Sequence, residues 1–436
     1  MSRDTTAEAP AESAPPTARA GRLDRWGAVW RRWRVLSLVL AAFVALSAVR
    51  EISGQDALTA SGTVQTMLAF AVPIGLAGLG GLWAERAGII NIGLEGMMVF
   101  GTWFGAYAAW TTGNPWAGLA AGILGGVAGG LVHAVATVTF GVDHIVSGVA
   151  INILSVGAMR YLSVLYFMEA PGGGAGQSPQ LPDFSPVGLP FVADLLRPVQ
   201  ESGVFLAADA AGIVTGLTTG MSVVTLIALL LLPVTYAILW RTRFGLRLRS
   251  CGENPDAAES LGVNVYAYKY AALAVSGGLA GMGGVFLAMV ASSVYQEGQT
   301  GGRGYIGLAA MIFGNWRPGG LAMGAGLFGF TDALQIRGQG PAVHALLLLL
   351  AGVLLVVVLG AVATAVWRRR LRPLRTAAVA AALGAGLGAW YLFTDTVPSE
   401  VVIASPYIAT LLVLALASQR LRPPAGIGRQ WRRRSG

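Results

Sequence analysis

Two stretches, Met221 to Trp240 and His344 to Trp367, each run for at least twenty residues without an Arg, Lys, Asp or Glu inside. A segment of about 20 apolar residues crosses a bilayer's hydrocarbon core as an α-helix, which satisfies its own backbone where no water is available. Comparable runs recur along the whole chain, so the expected fold class is all-α, a polytopic transmembrane helix bundle of about 10–12 spans. A membrane barrel would instead show short strands of alternating polarity.

Candidate spans fall at 35–49, 63–84, 89–110, 116–140, 144–167, 221–240, 266–291, 304–315, 320–336, 343–367, 377–393 and 401–418. The eighth is too short to cross upright. Only 12% of the 436 residues are charged, against about 25% in soluble domains. Glycine supplies 61 residues, about twice its usual share of roughly 7%, and much of it lies inside the apolar runs. In the fourth span Gly118, Gly122, Gly126 and Gly130 recur every four residues and bare one helix face, which predicts close helix packing.

The net charge of +9 does not imply nucleic acid, because the basic residues gather in tails and short connections. Arg31, Arg32 and Arg34 precede the first span and place the N-terminus in the cytoplasm. Counting spans from there puts RTRFGLRLR (241–249), WRRRLRPLR (367–375) and the WRRR ending at Arg434 on the same side. The 168–220 loop then lies outside, with Glu169, Asp183, Asp194, Glu201 and Asp209 against Arg197 alone. Residues 1–34 read as a disordered basic cytoplasmic tail, 35–418 as the transmembrane domain with an added span pair at 376–418, and 419–436 as a second basic cytoplasmic tail. Within the outer loop PGGGAGQSP reads as a flexible linker, and FVADLLRPVQESGVFLAAD as a short surface helix broken near Pro198.

The cytoplasmic 241–265 loop holds SCGENPDAAESLGVNV, a water-loving helix between two very apolar segments. Asn254 is a good N-cap, Pro255 fits the first helical position, Asp256 complements the dipole, and Gly262 closes the helix in the left-handed conformation. The turns between them, Ala257, Ala258, Glu259, Ser260 and Leu261, offer lipid only one large apolar side chain, so docking to a soluble partner is favoured over lying on lipid.

Charged and amide side chains inside spans are costly and face a cavity or one another. Glu85, Arg86, Asn91 and Glu95 fall near a break suggested by Gly88 and Gly93, and they are read either as a polar patch on the translocation path or as an anchor paired internally. Asn152 and Trp103, the latter with Phe104 and Tyr107, are further candidates to touch a solute, the aromatics by stacking. Gln296, Glu297, Arg303 and Asn315 are weaker ones, and His133, His144 and His344 read as structural.

Catalysis has no visible machinery. The only lysine, Lys269, has no glycine frame for a phosphate loop, and there is no HExxH, GxSxG or Cys/His pairing. One cysteine, Cys251, excludes an intramolecular disulfide and a multi-cysteine metal site. No cofactor is expected.

FGLRLRSCGENPDAAESLGVNV resembles the coupling segment of ATP-binding-cassette importer permeases of the branched-chain amino acid, simple-sugar and nucleoside branch. AERAGIINIGLEGMM (84–98) and GGRGYIGLAAMIFGNWRPGG (301–320) are similar to the nucleoside and basic-membrane-protein type within it, over roughly residues 63–336. The resemblance implies a type II importer permease fold in which Asn254–Gly262 sits in a groove of a separate ATPase subunit that binds the ATP. It also implies a second permease subunit in a heterodimer, an extracytoplasmic substrate-binding lipoprotein, a nucleoside as solute and location in the cytoplasmic membrane. Simple sugars or branched-chain amino acids are the alternative cargo, and a secondary transporter with inverted repeats is the rival from another class.

Overall fold

A computed structural model of the protein describes residues 22–369, 372–405, 408 and 421–431. The first helix, α1, covers Arg22–Ser53. The expectation of a disordered tail through residue 34 is therefore corrected for 22–34, which continue the first span as helix, since nothing between Arg22 and Val35 breaks one. Residues 1–21 and most of 401–418 lie outside the described residues.

Two helices form the axis of the bundle, α2 (Ser61–Arg86) and α11 (Val265–Phe286), which bury 78% and 83% of their apolar windows. Around them stand α3 (Leu94–Thr112), α4 (Pro115–Ala134), α5 (His144–Tyr166), α8 (Val223–Arg241), α12 (Arg303–Phe313) and α13 (Pro318–Arg337). The last pair, α14 (Gln339–Arg368) and α15 (Arg372–Phe393), packs side by side and buries only 11% of each apolar window, which suits a lipid-facing hairpin. Among the described residues seven helices are long and apolar enough to cross a membrane, and the chain is a multi-pass membrane protein.

Glycine sets the closest approaches. A Cβ at Gly126 would collide with the Gly277 carbonyl, one at Gly130 with that of Leu273, one at Gly122 with Val285 and Gly101, and one at Gly118 with Ala109. On the other side of the seam Gly277 and Gly281 meet the carbonyls of Gly126 and Gly122. Thus α4 and α11 touch backbone to backbone, with α3 wedged beside them through Gly101.

The 168–220 segment is more ordered than its composition predicts. PGGGAGQSP is not a free linker: Gly174 bridges to Gln177, Gln177 to Gln296, and the Ser178 N–H donates to the Tyr295 carbonyl at 3.0 Å. Its glycines serve close approach there, Gly173 lying against the Phe167 carbonyl. Helix α6 (Pro190–Glu201) runs through Pro198 instead of breaking at it, because a proline in the final turn forfeits one hydrogen bond only. A second helix, α7 (Ala207–Thr218), lies on the start of α2 and is fastened by buried Asp209, which pairs with Arg50 at 2.8 Å and accepts from Thr59.

Candidate functional site

At the basic end of the bundle α8 turns into α9 (Arg243–Glu253), an amphipathic helix, and then α10 (Pro255–Ser260). Asn254 caps α10, its side-chain oxygen accepting from the Ala257 N–H at 3.0 Å. The other end closes as a Schellman turn: Gly262, at φ +79°, donates to Glu259 and Val263 donates to Ala258. Pro255 and Ala258 face inward and are buried, whereas Asp256, Ala257, Ser260, Leu261 and Gly262 face out. Leu261 is 84% exposed, a large apolar side chain with nothing over it in the described chain.

Trp240, near the end of α8, packs its ring against the Arg86 and Arg249 guanidiniums at 5.2 and 5.5 Å. Arg86 also donates to the Trp316 carbonyl at 2.7 Å, and the Trp316 indole N–H donates to the buried Glu85 carboxylate. Glu85 and Arg86 thus grip the turn between α12 and α13 from both sides.

The break anticipated near Gly88 and Gly93 is real: residues 87–93 leave helical geometry, Gly88 at φ +88°, and α3 begins only at Leu94, not at 89. Side chains from other helices take up the freed backbone groups. His133 lies 3.1 Å from the Ile90 carbonyl, His144 accepts from the Ile90 N–H at 3.4 Å, and Asn152 donates to the Ile92 carbonyl at 3.1 Å. Asn91, wholly buried, donates to Ser276 at 2.9 Å.

Opposite this break is the eleven-residue α12, about 16 Å long at about 1.5 Å per residue, half a hydrocarbon core. Glu95 joins the two, accepting from Gly302 and Gly304 at the N-terminus of α12, where the dipole favours a carboxylate. Asn152 completes the joint, accepting from the Gly96 N–H at 2.7 Å and donating to the Tyr305 hydroxyl at 2.8 Å.

The five residues named as a candidate solute path therefore do not share one cavity. Glu95 and Asn152 meet at a hollow of only about 60 Å³, while Glu85 and Asn91 are engaged inside the bundle. Trp103 stacks on Tyr107 at 5.2 Å and donates to Ser163, in an aromatic cluster with Phe104 and Phe167.

The roomier space lies between α2, α12 and α13. Two adjoining hollows of about 460 and 410 Å³ share Phe70, Arg303 and Ile336 as walls. Asp332 and Gln335 line one; Gln296 and Gln299 line the other. The Arg303 guanidinium lies 5.4 Å over the Phe70 ring and is held by the Gln299 and Thr300 carbonyls at 3.1 Å each. Arg303 Nε and Gln299 Nε2 are buried without a hydrogen-bond partner among the described residues. Of this wall, Gln296 and Arg303 were legible as candidates. Asp332, the one carboxylate in the 318–337 run, was the unused signal.

The last described stretch, 421–431, is no free tail, although its composition predicts one. Gly426 donates to the Gly252 carbonyl at 2.9 Å, Ala425 to the Glu253 carboxylate at 3.0 Å and Trp431 to the Asp256 carboxylate at 2.9 Å. Glycine at 426 permits that approach, since a Cβ there would strike the Gly252 carbonyl, while a Cβ on Gly252 would strike the Arg86 carbonyl at the end of α2.

Residues 63–359 match the family described as branched-chain amino acid transport system / permease component. A nucleoside ABC transporter permease protein of Lactococcus lactis is 34% identical over 287 residues, 64% of this chain and 84% of that protein. A guanosine ABC transporter permease protein of Bacillus subtilis is 35% identical over 286 residues, 63% and 82% of the two chains. A putative glucose ABC transporter permease protein of Haloferax volcanii is 34% identical over 281 residues, 64% and 78%. No solved structure matches the chain.

Proposed function

This chain belongs to the branched-chain amino acid transport system permease component family, and on that premise we propose that it is the membrane-spanning subunit of an ATP-driven nucleoside importer. Two of the relatives are nucleoside permeases by name, which supports the cargo class. The chain supplies no phosphate-binding loop, so ATP belongs to a separate ATPase subunit. The basic α8–α11 connection and both termini lie in the cytoplasm on the charge asymmetry, a second permease subunit completes the path, and a substrate-binding lipoprotein delivers cargo outside.

One observation carries the coupling role. α10 is capped at both ends and braced from behind, yet presents Leu261 uncovered. Burying a leucine is worth about 1.5–3 kcal/mol, so a partner's groove over Leu261 is a strong docking contact on a helix too short to stand alone. The solute wall is the Phe70–Arg303 hollow: an aromatic face for a base, with Gln335 and the Asp332 carboxylate for its edge and ribose hydroxyls.

Reconstitution into liposomes with the ATPase, the second permease and the lipoprotein tests this. ATP-dependent uptake of labelled guanosine is expected, competed by other nucleosides. Uptake of glucose or branched-chain amino acids in its place overturns the cargo, and uptake driven by an ion gradient without the ATPase overturns the transporter class.

A further inference from the structure

The segment Leu421–Trp431 bonds to or packs on five elements at the basic end of the bundle. Its Arg422 N–H donates to the Asn315 side chain in the α12–α13 turn at 2.8 Å. Ala425 and Gly426 bond to Glu253 and Gly252 at the end of α9, and the Gly428 N–H donates to the Gly88 carbonyl in the α2–α3 break at 3.0 Å. Trp431 closes the set, bonding Asp256 of α10 while its ring lies 5.4 Å from Tyr266 and under the Lys269 ammonium at 5.8 Å, both in α11. Leu421 packs on the central core, and Trp431 is 8% exposed in one cluster with Cys251, Ala258 and Val265.

Covalently, α10 pulls only on α9 and α11. Gly252 of α9 packs directly on the Arg86 carbonyl and on Gly88, and Arg86 reaches the Trp316 carbonyl. The hydrogen bonds of this segment add a second tie to the α2–α3 break and a further one to the α12–α13 turn, which lead to Glu95 and Arg303. We propose that Leu421–Trp431 is a transmission strap, whose task is to carry displacement of α10 to the α2–α3 break and the α12–α13 turn and so to the solute wall. The proposal rests on the coupling role inferred for α10.

The side from which the strap approaches separates this role from self-inhibition. It lies against the buried cluster of Cys251 and Ala258, whereas Ala257, Ser260 and Leu261 stay open on the other side of α10. A docked ATPase and the seated strap therefore fit α10 together. Coupling of this kind needs one two-state unit biased from both ends, and the strap ties these five elements together.

The variants are Trp431→Ala, Trp431→Phe, which keeps the ring and removes the bond to Asp256, and a chain stopped after Arg420. Two measurements separate the outcomes. Maleimide labelling of Cys251 in the purified permease reports whether the strap is seated, independent of any transport. Solute moved per ATP hydrolysed, in liposomes with the partner subunits, reports transmission. Trp431→Ala and the truncation are expected to speed labelling and to lower solute moved per ATP about tenfold while ATPase binding persists; Trp431→Phe falls between wild type and Trp431→Ala.

Unchanged labelling in the truncated chain overturns the seated strap. Faster labelling with unchanged solute per ATP makes the segment a passive cover, and increased solute per ATP makes it an inhibitor; either overturns the proposal. Should even the wild-type chain fail to couple to an ATPase, the labelling result still reports the strap while the coupling reading itself falls.

Discussion

The Glu95 carboxylate accepts from the Gly304 N–H at 2.7 Å, with its other oxygen on the Gly302 N–H at 2.8 Å, so one side chain in the first turn of α3 caps the start of α12. Two incomplete membrane elements, each unable to satisfy its own ends, are thereby joined.

Glu95→Gln keeps the shape but loses the charge and one of the two acceptors. Since hydrogen bonds to charged groups contribute about 1.5–3 kcal/mol, the variant is expected to melt earlier in detergent by that order. An unchanged melting curve would mean that the α3–α12 joint is held elsewhere.

Gly126→Ala puts a methyl group into the Gly277 carbonyl, and nothing flexible stands there to move. Overpacking of about 1–3 kcal/mol is expected, whereas Gly157→Ala, which opens onto free space, stays within about 0.5 kcal/mol of wild type. Equal stability of the two variants in thermal unfolding would refute the seam.

Leu261→Ala removes the uncovered side chain of α10 and touches no internal contact of consequence. ATPase binding, followed by light scattering or pull-down titration, is expected to weaken about tenfold, with the permease's own melting temperature unmoved. Loss of permease stability instead would assign Leu261 an internal role.

Phe70→Ala and Arg303→Gln each remove half of the stacked pair in the solute wall. Apparent KM for nucleoside uptake is expected to rise about tenfold in each, and the double variant to fall short of the product because the two groups act together. A change in surface expression with KM intact counts against solute contact.

Burial pushes the Cys251 thiol from its ordinary 9.0 up to about 11. The unfolded chain releases this proton first, so ionisation withdraws stability as pH rises from about 9 to about 11, and none is withdrawn below. The melting temperature of the purified permease is expected to decline across that window and to decline less in Cys251→Ala. Rapid maleimide labelling of the wild-type thiol at neutral pH would contradict both the burial and the shift.

Much of this molecule is local physics and was readable residue by residue. The long uncharged runs permitted only helices across a membrane, the glycines spaced by four announced a backbone seam, and Asn254, Pro255 and Gly262 bounded a two-turn helix to within a residue. Each of those features is set by neighbours within one or two helical turns. The same holds for the break after α2, visible at Gly88 because glycine admits a left-handed geometry that other residues resist.

The partners of the buried polar groups were not readable that way. Glu85 finds Trp316, Asn91 finds Ser276, Glu95 finds Gly302, and Arg303 finds Phe70, each pair separated by about 185 to 233 positions. Nor did a basic C-terminal composition announce that Trp431 would return to Asp256. A buried hydrogen-bonding group costs free energy until something satisfies it, and what satisfies it is whichever helix the packing brings alongside. Sequence determined which segments must enter the membrane and where the backbone must bend; only the assembled bundle decided which polar side chains are consumed in holding it together and which, such as Asp332 and Gln335, line the Phe70–Arg303 hollow.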